Sequence, residues 1–385
     1  SLIANFLKQK KAGYYDKQLS FARALEDLGL GYRFVAPEEI SAGALAGFQA
    51  LILPEASALS DAEVTAIRDF VEKGGILLAD YEPATLDQYC NARQTPALDD
   101  LFGISTRRFS LGKVSASSVP GINISQAGKG ITATAGTAVH KATINDQELP
   151  LVITHQFGRG RTAYLNFVPE YNVTRNSGQD QGFPELLQSL LQLKPLTAVA
   201  GWANPVQQSA FVNGQTYYFG LLPQPLLPNW QNRKREDLQK AAAAADVKLF
   251  QAGHLYDVRK GEYLGQTSQC RISLVPGDAA LLALLPYQVT GLSLTAPEQA
   301  RPGEVVTLSA AVQAAAAEPA HHVLLLTVRR PDGQYSLDYR QIVSVDQGRA
   351  DFNLPFALND QAGSWQIQVR DAASGIMAQK TILLQ

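Results

Sequence analysis

The stretch GGILLADYEPATLD, from Gly74 to Asp87, decides the fold prediction. Its apolar part, ILLAD, is a continuous run of the kind that is buried on both faces of a parallel sheet. The preceding segment, LSDAEVTAIRDFVEKGG, has the pattern of an amphipathic helix, which Ser60 and Glu63 begin with a capping box and Gly74 ends. A helix that leads directly into a buried strand is half of a β-α-β unit.

The alternation of helix and strand continues on both sides of this stretch, across residues 1 to about 195. On the N-terminal side, YYDKQLSFARALEDLG predicts a helix that stops at Gly29, GYRFVA predicts a strand, and FQALILPEA predicts a second buried strand. On the C-terminal side, residues 106–145 indicate irregular β structure, LVITHQFGRGRTAYLNF a hairpin that turns at Gly158-Arg159-Gly160, and FPELLQSLLQL a closing helix. This rhythm predicts an α/β domain with a doubly wound, flavodoxin-like parallel sheet.

The first residues have a helical pattern, with Leu2, Ile3, Phe6 and Leu7 on one face. A doubly wound domain usually opens with a buried strand, and none precedes this helix. We therefore expect that the native protein continues upstream, and that the first strand of this domain is absent or is supplied by upstream residues. The N-terminus consequently gives no information about localisation.

The period of the pattern changes after residue 195, and two all-β domains are predicted there. Residues 196–287 indicate a small antiparallel domain, with a hairpin turn at Asn213-Gly214. Residues 288–385 have strands and turns at the spacing of an immunoglobulin-like β-sandwich, with Trp365 as its core aromatic residue. The predicted domains are therefore 1–195, 196–287 and 288–385.

Composition excludes several classes of function. The 385 residues carry a formal net charge of -2, so a general attraction to nucleic acid or to anionic membranes is not expected. No apolar run approaches the length of a membrane-spanning helix. Cys90 and Cys270 have no metal-ligand spacing, and His321 and His322 would point to opposite faces of a strand. The sequence therefore predicts no metal and no cofactor.

Acidic and aromatic side chains follow the predicted parallel strands. Ligands of open α/β sheets bind beyond the carboxyl ends of the strands, where the candidate residues are Glu55, Asp80, Tyr81, Glu82 and Glu170. Trp230, in a polar loop, could stack on a sugar ring or be partly buried. These side chains either form a polar rim that faces a neighbouring domain or a sugar, or are solvated loop residues. Pro83 is expected to hold Glu82 in an extended conformation.

No catalytic residue is predicted. Cys90 is the only candidate nucleophile of the first domain, but it lies in the polar segment DQYCNARQ without the pattern of a nucleophile elbow. An inert thiol is therefore expected. His155, in the middle of the hairpin, is expected to pack or to donate to the backbone.

Three segments resemble the β-galactosidase trimerisation domain, which follows the catalytic barrel of family 42-type glycoside hydrolases. They are YYDKQLSFARALEDLGLGYRFV, FQALILPEASALSDAEVTAIRDFVEKGGILLAD and HQFGRGRTAYLNF, in the same order as in that domain. The segments that follow resemble the small β domain and the sandwich modules of glycosidase-like and large secreted proteins. The resemblance implies a class I glutamine-amidotransferase-like fold, and the sandwich modules favour an extracellular or periplasmic location.

Active amidotransferase-like enzymes have a cysteine on the turn where this sequence has Tyr81 and Glu82. The resemblance therefore implies a non-catalytic region that serves assembly and shapes the active site of an upstream barrel in the same chain. Its expected partners are that barrel and further copies of the chain, with carbohydrate as a further candidate. The alternative is an independent carbohydrate-binding, surface or adhesive protein without hydrolase activity. No (β/α)₈ pattern occurs in these 385 residues.

Overall fold

The computed structural model describes residues 13–107, 110–177, 179–203, 205–224, 234–315 and 317–385. The chain divides into two compact units, Ser1–Pro195 and Leu196–Gln385. Strands hold 48% of the residues and helices 18%, so the chain is mainly β. The predicted helix at Leu2 to Leu7 and the predicted site residue Trp230 lie outside the described residues.

The described residues of the first unit form short helices and nine strands. Its helices are α1 (Gly13–Asp27), α2 (Pro37–Ser41), α3 (Asp61–Glu72), α4 (Asp99–Phe102), α5 (Tyr171–Thr174) and α6 (Gly182–Leu191). Its strands are β1 (Ala50–Leu53), β2 (Ile76–Ala79), β3 (Ile104–Thr106), β4 (Leu111–Ser117), β5 (Gln126–Gly128), β6 (Ile131–Ala133), β7 (Thr137–Ile144), β8 (Gln147–Phe157) and β9 (Gly160–Leu165).

The main sheet of this unit is mixed. Its order is β1-β2-β9-β8-β7-β4-β5, and only the neighbours β1, β2 and β9 run parallel. The predicted hairpin between β8 and β9 is confirmed, with Phe157 opposite Gly160. A turn this tight can join only antiparallel strands, and β7, β4 and β5 continue antiparallel from β8. The parallel pairing that the sequence predicts is present between β1, β2 and β9, and the sheet is antiparallel beyond β9.

The predicted strand GYRFVA does not form, since residues 31–36 have no strand conformation. The pattern of alternating large side chains is present, but a strand also needs a partner edge, and no described strand pairs with this segment. Phe34 stays 61% exposed, and the Tyr32 hydroxyl donates a hydrogen bond to Glu26 at 3.0 Å instead.

Helices cover both faces of the sheet. On one face, α1 and α6 contribute Phe21 and Phe183 to a core that includes Leu78. On the other face, α3 contributes Ile67 and packs with Leu77. Helix α3 begins as predicted, because the Ser60 hydroxyl accepts the N–H of Glu63 and the Glu63 carboxylate accepts the N–H of Ser60.

In the second unit, the residues that the structure describes form helix α7 (Arg235–Lys240) and fourteen strands. They are β10 (Thr197–Ala200), β11 (Val206–Asn213), β12 (Thr216–Pro223), β13 (Ala243–Asp257), β14 (Glu262–Leu274), β15 (Ala280–Leu285), β16 (Val289–Thr295), β17 (Gln299–Ala300), β18 (Val305–Ala314), β19 (His322–Arg329), β20 (Tyr335–Val345), β21 (Arg349–Pro355), β22 (Gly363–Asp371) and β23 (Met377–Leu384).

These strands form three sheets. The order β10-β13-β15-β12-β11, with β14 beside β13, makes the first, and the predicted hairpin at Asn213-Gly214 joins β11 to β12. The other two sheets have the orders β16-β18-β21 and β17-β23-β22-β19-β20. Trp365 is a core residue as predicted: it is fully buried between Tyr339 and Phe356, and its indole N–H donates to Gln361 at 2.9 Å.

One apolar core extends across the predicted boundary at residues 287 and 288. Tyr256, Leu285 and Tyr287 pack in the same cluster as Trp365. The Tyr256 hydroxyl accepts the N–H of Val289 at 2.8 Å. The division of the second unit into two domains stays a prediction.

None of the helices in the described part of the chain has the length and apolar character that a membrane crossing requires.

Candidate functional site

The candidate site lies where the parallel strands β1 and β2 end. Leu53 is opposite Ala79 at the last paired position, so Glu55 and Asp80 enter the same turn region. The Asp80 carboxyl accepts a hydrogen bond from the backbone N–H of Glu55. The two turns are also joined through the backbone, because the N–H of Ala84 donates to the carbonyl of Ala56 at 2.9 Å. Tertiary structure thus brings the two predicted acids together.

Both acids are buried, Asp80 completely and Glu55 to 5% exposure. Lys17 of α1 reaches them from outside the sheet, with its Nζ 3.6 Å from Glu55 Oε1. Burial raises the pKa of Asp80 well above its usual range, and the negative charge of Glu55 adds to the rise. The Glu55 N–H and the charge of Lys17 oppose this effect but do not outweigh it.

Tyr164 of β9 completes the buried polar cluster. It is opposite Ala79 of β2 and is fully buried. Burial raises the pKa of its hydroxyl, and the charge of Asp80 is the next largest cause of that rise. Neither the Tyr164 hydroxyl nor Asp80 Oδ2 has a hydrogen-bond partner among the described residues. The fold therefore buries two polar atoms without hydrogen-bond partners in the described part of the chain. Burying such atoms costs folding free energy.

The turn after β2 has left-handed backbone at two positions. Glu82 has a φ of 57° and Ala84 a φ of 53°, which side chains rarely adopt. The prediction that Pro83 holds Glu82 extended is therefore wrong, because the contacts between the two turns fix this backbone. Tyr81 and Glu82 are half-buried. Burial, followed by the charge of Glu82 and a hydrogen bond with it, raises the pKa of Tyr81.

Glu170 lies in a different part of the first unit. It is exposed at the start of α5 and lines a small cleft with Asn123 and Asp180. Asp180 is held in that cleft by the N–H of Asn123, which donates to it at 2.6 Å. No hydrogen bond or ion pair between described residues joins Glu170 to Glu55 or Asp80. The structure therefore gives no contact that connects Glu170 with the other predicted site residues.

Cys90 and His155 are both held in local structure. The N–H of Cys90 donates to the carbonyl of Asp87 at 3.0 Å, in a turn that the Asp87 carboxylate organises through Tyr89 and Asn91. Cys90 is half-exposed, and no described hydrogen bond joins it to a histidine. His155 Nδ1 lies 2.9 Å from the carbonyl of Leu101, so the expected donation to the backbone is confirmed.

Sequence reasoning missed Lys17, Tyr164 and Asp99. Asp99 is buried at the start of α4, where its carboxylate accepts the N–H and the hydroxyl of Thr106 at 2.8 and 3.0 Å, and burial raises its pKa. The only sequence signal for Tyr164 was a phenol inside the buried strand TAYLNF. A buried hydroxyl normally requires a partner.

Among the described residues, the ends of the parallel strands carry carboxyl groups, phenol groups and the ammonium group of Lys17. The described residues contain no group of His, Cys, Asp and Glu that could hold a metal ion.

Comparison with known proteins agrees with this fold. Residues 4–194 match the family described as the β-galactosidase trimerisation domain. This region of the chain belongs to that family. No curated protein matches the chain.

Two solved structures show the same fold at low sequence identity. Gan42B, a GH42 β-galactosidase from G. stearothermophilus, is similar with a TM-score of 0.52 and 16% identity, over 72% of this chain and 36% of Gan42B. The β-galactosidase from Bacillus circulans sp. alkalophilus has a TM-score of 0.51 and 14% identity, over 70% of this chain and 37% of its own. The chain thus spans little more than a third of the length of these enzymes.

Proposed function

We propose that residues 1–195 are a non-catalytic assembly domain of a carbohydrate-active, glycoside-hydrolase-like protein. In this proposal the domain associates with further copies of the chain and shapes the active site of a catalytic barrel that the same protein carries upstream. The observation that carries the proposal is the match of residues 4–194 to the β-galactosidase trimerisation domain family. The similarity to whole β-galactosidases, of which the chain spans about a third, supports the upstream barrel.

The chemistry of the strand ends supports a non-catalytic role. Hydrolysis of a glycoside normally requires two carboxyl groups that both reach the scissile bond. Glu55 and Asp80 are buried and joined to each other's turn, so they are not presented to a substrate from solvent. Acyl transfer requires a nucleophile beside a base, and the turn after β2 has Tyr81 and Glu82 where a nucleophile would stand.

The finer fold assignments belong to the same proposal. We assign the first unit to the doubly wound, amidotransferase-like class, on the three parallel strands β1, β2 and β9 and the helices on both faces. We assign residues 288–385 to an immunoglobulin-like sandwich, on the two facing sheets and the buried Trp365. We assign residues 196–287, which come between these two regions in the sequence, to a small antiparallel β domain.

A second candidate function is an independent carbohydrate-binding or surface protein without hydrolase activity. The observation that favours it is the large all-β second unit, which carries a polar cleft on an open sheet face. The two candidates differ in what the first unit does: only the first requires that it drive self-association.

Sedimentation velocity of the full 385-residue chain over a wide concentration range tests the proposal. We expect a species of three times the chain mass. We also expect that the isolated chain does not hydrolyse a chromogenic β-galactoside. A strict monomer at every concentration would contradict the assembly role, and measurable turnover that survives repeated purification would contradict the non-catalytic role.

A further inference from the structure

An open polar cleft lies on the outer face of the sheet β17-β23-β22-β19-β20. It is shallow and open to solvent. The side chains that line it come from four adjacent strands and are all polar or aromatic: Thr327, Arg329, Tyr335, Gln366, Gln368 and Gln379.

The register of the strands explains why these side chains share one face. Arg329 is opposite both Tyr335 and Gln366, which makes one row across three strands. Thr327 is opposite Gln368, and Gln368 is opposite Gln379, which makes a second row two residues along. Side chains two residues apart on a strand point to the same side, so the two rows form one continuous platform.

One end of the platform is ordered before any ligand binds. The Arg329 guanidinium lies 4.5 Å from the centroid of the Tyr335 ring and donates a hydrogen bond to the Tyr335 hydroxyl at 2.9 Å. These two contacts hold both long side chains in place. Tyr335 nevertheless stays 59% exposed, so part of its ring is available to a ligand. Preorganised groups lose less conformational entropy on binding than free ones.

The chemistry of the platform fits a ligand with many hydroxyl groups. Glutamine amides and the hydroxyls of threonine and tyrosine both donate and accept hydrogen bonds, as sugar hydroxyls do. No carboxylate lines the cleft, so a basic peptide has no counter-charge there. Gln368 Oε1 accepts the Thr327 hydroxyl at 3.5 Å. An anion would use only donors and would leave the amide oxygens of Gln366 and Gln379 unused. An exposed aromatic ring can pack against the apolar face of a sugar ring.

We propose that this platform binds a neutral oligosaccharide that lies across strands β20, β19, β22 and β23. The inference rests on the proposed function in one respect: a carbohydrate-active protein is where such a site would be used. The inference goes beyond the proposed function because it assigns sugar recognition to the second unit and not to the strand ends of the first unit.

Affinity electrophoresis of the full chain in gels that contain a soluble neutral galactan tests this proposal, with a mixed-linkage β-glucan and a sulfated galactan as further probes. We expect at least one neutral polysaccharide to retard the chain. Tyr335→Ala and the double variant Gln368→Ala with Gln379→Ala should each weaken that binding about tenfold, on loss of a stacking contact or of two hydrogen bonds.

A matched control is Thr307→Ala on the other sheet, where the Thr307 hydroxyl donates to Asn353 at 3.1 Å on an exposed face. This variant should bind as the wild type does. The proposal is overturned if no neutral polysaccharide retards the chain, or if the platform variants bind normally. It is also overturned if only the sulfated galactan binds and Arg329→Gln alone abolishes that binding. Sedimentation of the same variants separates the two proposals, because platform substitutions should leave self-association unchanged.

Discussion

His322 Nδ1 lies 2.8 Å from the Asp371 carboxylate, and both side chains are buried in the core of the second unit. Ser374 donates to the other oxygen of Asp371 from its N–H at 2.9 Å and from its hydroxyl at 2.5 Å. On the far side of the ring, His322 Nε2 lies 2.9 Å from the Tyr287 hydroxyl, which accepts the N–H of Ala320 at 2.6 Å. A buried polar network with every member hydrogen-bonded can specify a unique core.

Replacing Asp371 with asparagine should destabilise the second unit by about 3 kcal/mol at neutral pH, because a buried charge partner is removed. Burial alone would raise the pKa of Asp371, but the hydrogen bond and charge of His322 and the bonds from Ser374 outweigh it, and the pKa is lowered. A lowered carboxyl pKa contributes stability above the unfolded value of about 4, and this contribution is lost as the pH falls through the folded value.

Urea denaturation of the wild type and of Asp371→Asn at neutral and at acid pH measures this effect. The difference in unfolding free energy should shrink in acid. Asp351→Asn is the control, since Asp351 is exposed and accepts only the Ser309 hydroxyl at 2.6 Å. A loss for Asp371→Asn that is no larger than that of this control would show that the network does not stabilise the core.

Asp27 should make the first unit less stable as the pH rises from about 4 to about 6. Burial raises the Asp27 pKa from 3.8 to about 6, although Arg175 and the Tyr171 hydroxyl, 2.7 Å away, favour the charged form. Because the folded state then binds more protons than the unfolded state in this window, stability falls with rising pH, by at most about 3 kcal/mol.

The variant Asp27→Asn isolates this effect. It cannot titrate, so its unfolding free energy should lack the fall between pH 4 and 6 that the wild type shows. Asp69→Asn, at an exposed position of α3 that pairs only with Lys73 at 3.5 Å, should keep the wild-type pH profile. Identical pH profiles for the wild type and Asp27→Asn would contradict the raised pKa.

Asp80 should tolerate asparagine much better than alanine. Burial raises the pKa of Asp80 well above its usual range and so disfavours the charged carboxylate, whereas asparagine is neutral and of similar shape. Alanine would leave the N–H of Glu55 without its acceptor, which costs about 2 kcal/mol for a buried donor. Thermal or urea unfolding of Asp80→Asn and Asp80→Ala measures both. Equal and large losses for the two variants would mean that Asp80 is charged in the folded protein.

Features that depend on neighbouring residues in the chain could be predicted from the sequence. The capping box of Ser60 and Glu63 and the turn at Asn213-Gly214 are examples, because a few adjacent residues determine each of them. The segment GYRFVA shows the limit: its pattern suits a strand, but the partner edge that a strand needs is not a property of the segment.

The candidate site shows the same limit. The sequence placed Glu55 and Asp80 at neighbouring strand ends, and in the structure the Asp80 carboxyl accepts the N–H of Glu55. The other members of this cluster could not be predicted, because Lys17, which pairs with Glu55, and Tyr164, which interacts electrostatically with Asp80, are distant from them in the chain. The left-handed φ of Glu82 was also hidden, since contacts between two turns determine it rather than Pro83.

The double variant Tyr81→Ala with Glu82→Ala tests whether the turn after β2 meets a partner. Glu55 and Asp80 are buried, so Tyr81 and Glu82 are the half-exposed members of the predicted rim that can contact a neighbouring domain or a sugar. If they do, their loss should weaken self-association or polysaccharide binding about tenfold or more, as the loss of a tyrosine at an interface does. Sedimentation and affinity electrophoresis measure the two effects, and Asp80→Asn, which changes no exposed group, serves as the control. Unchanged association and unchanged retardation in the double variant would mean that this turn is a solvated loop, fixed by the sheet but without a partner.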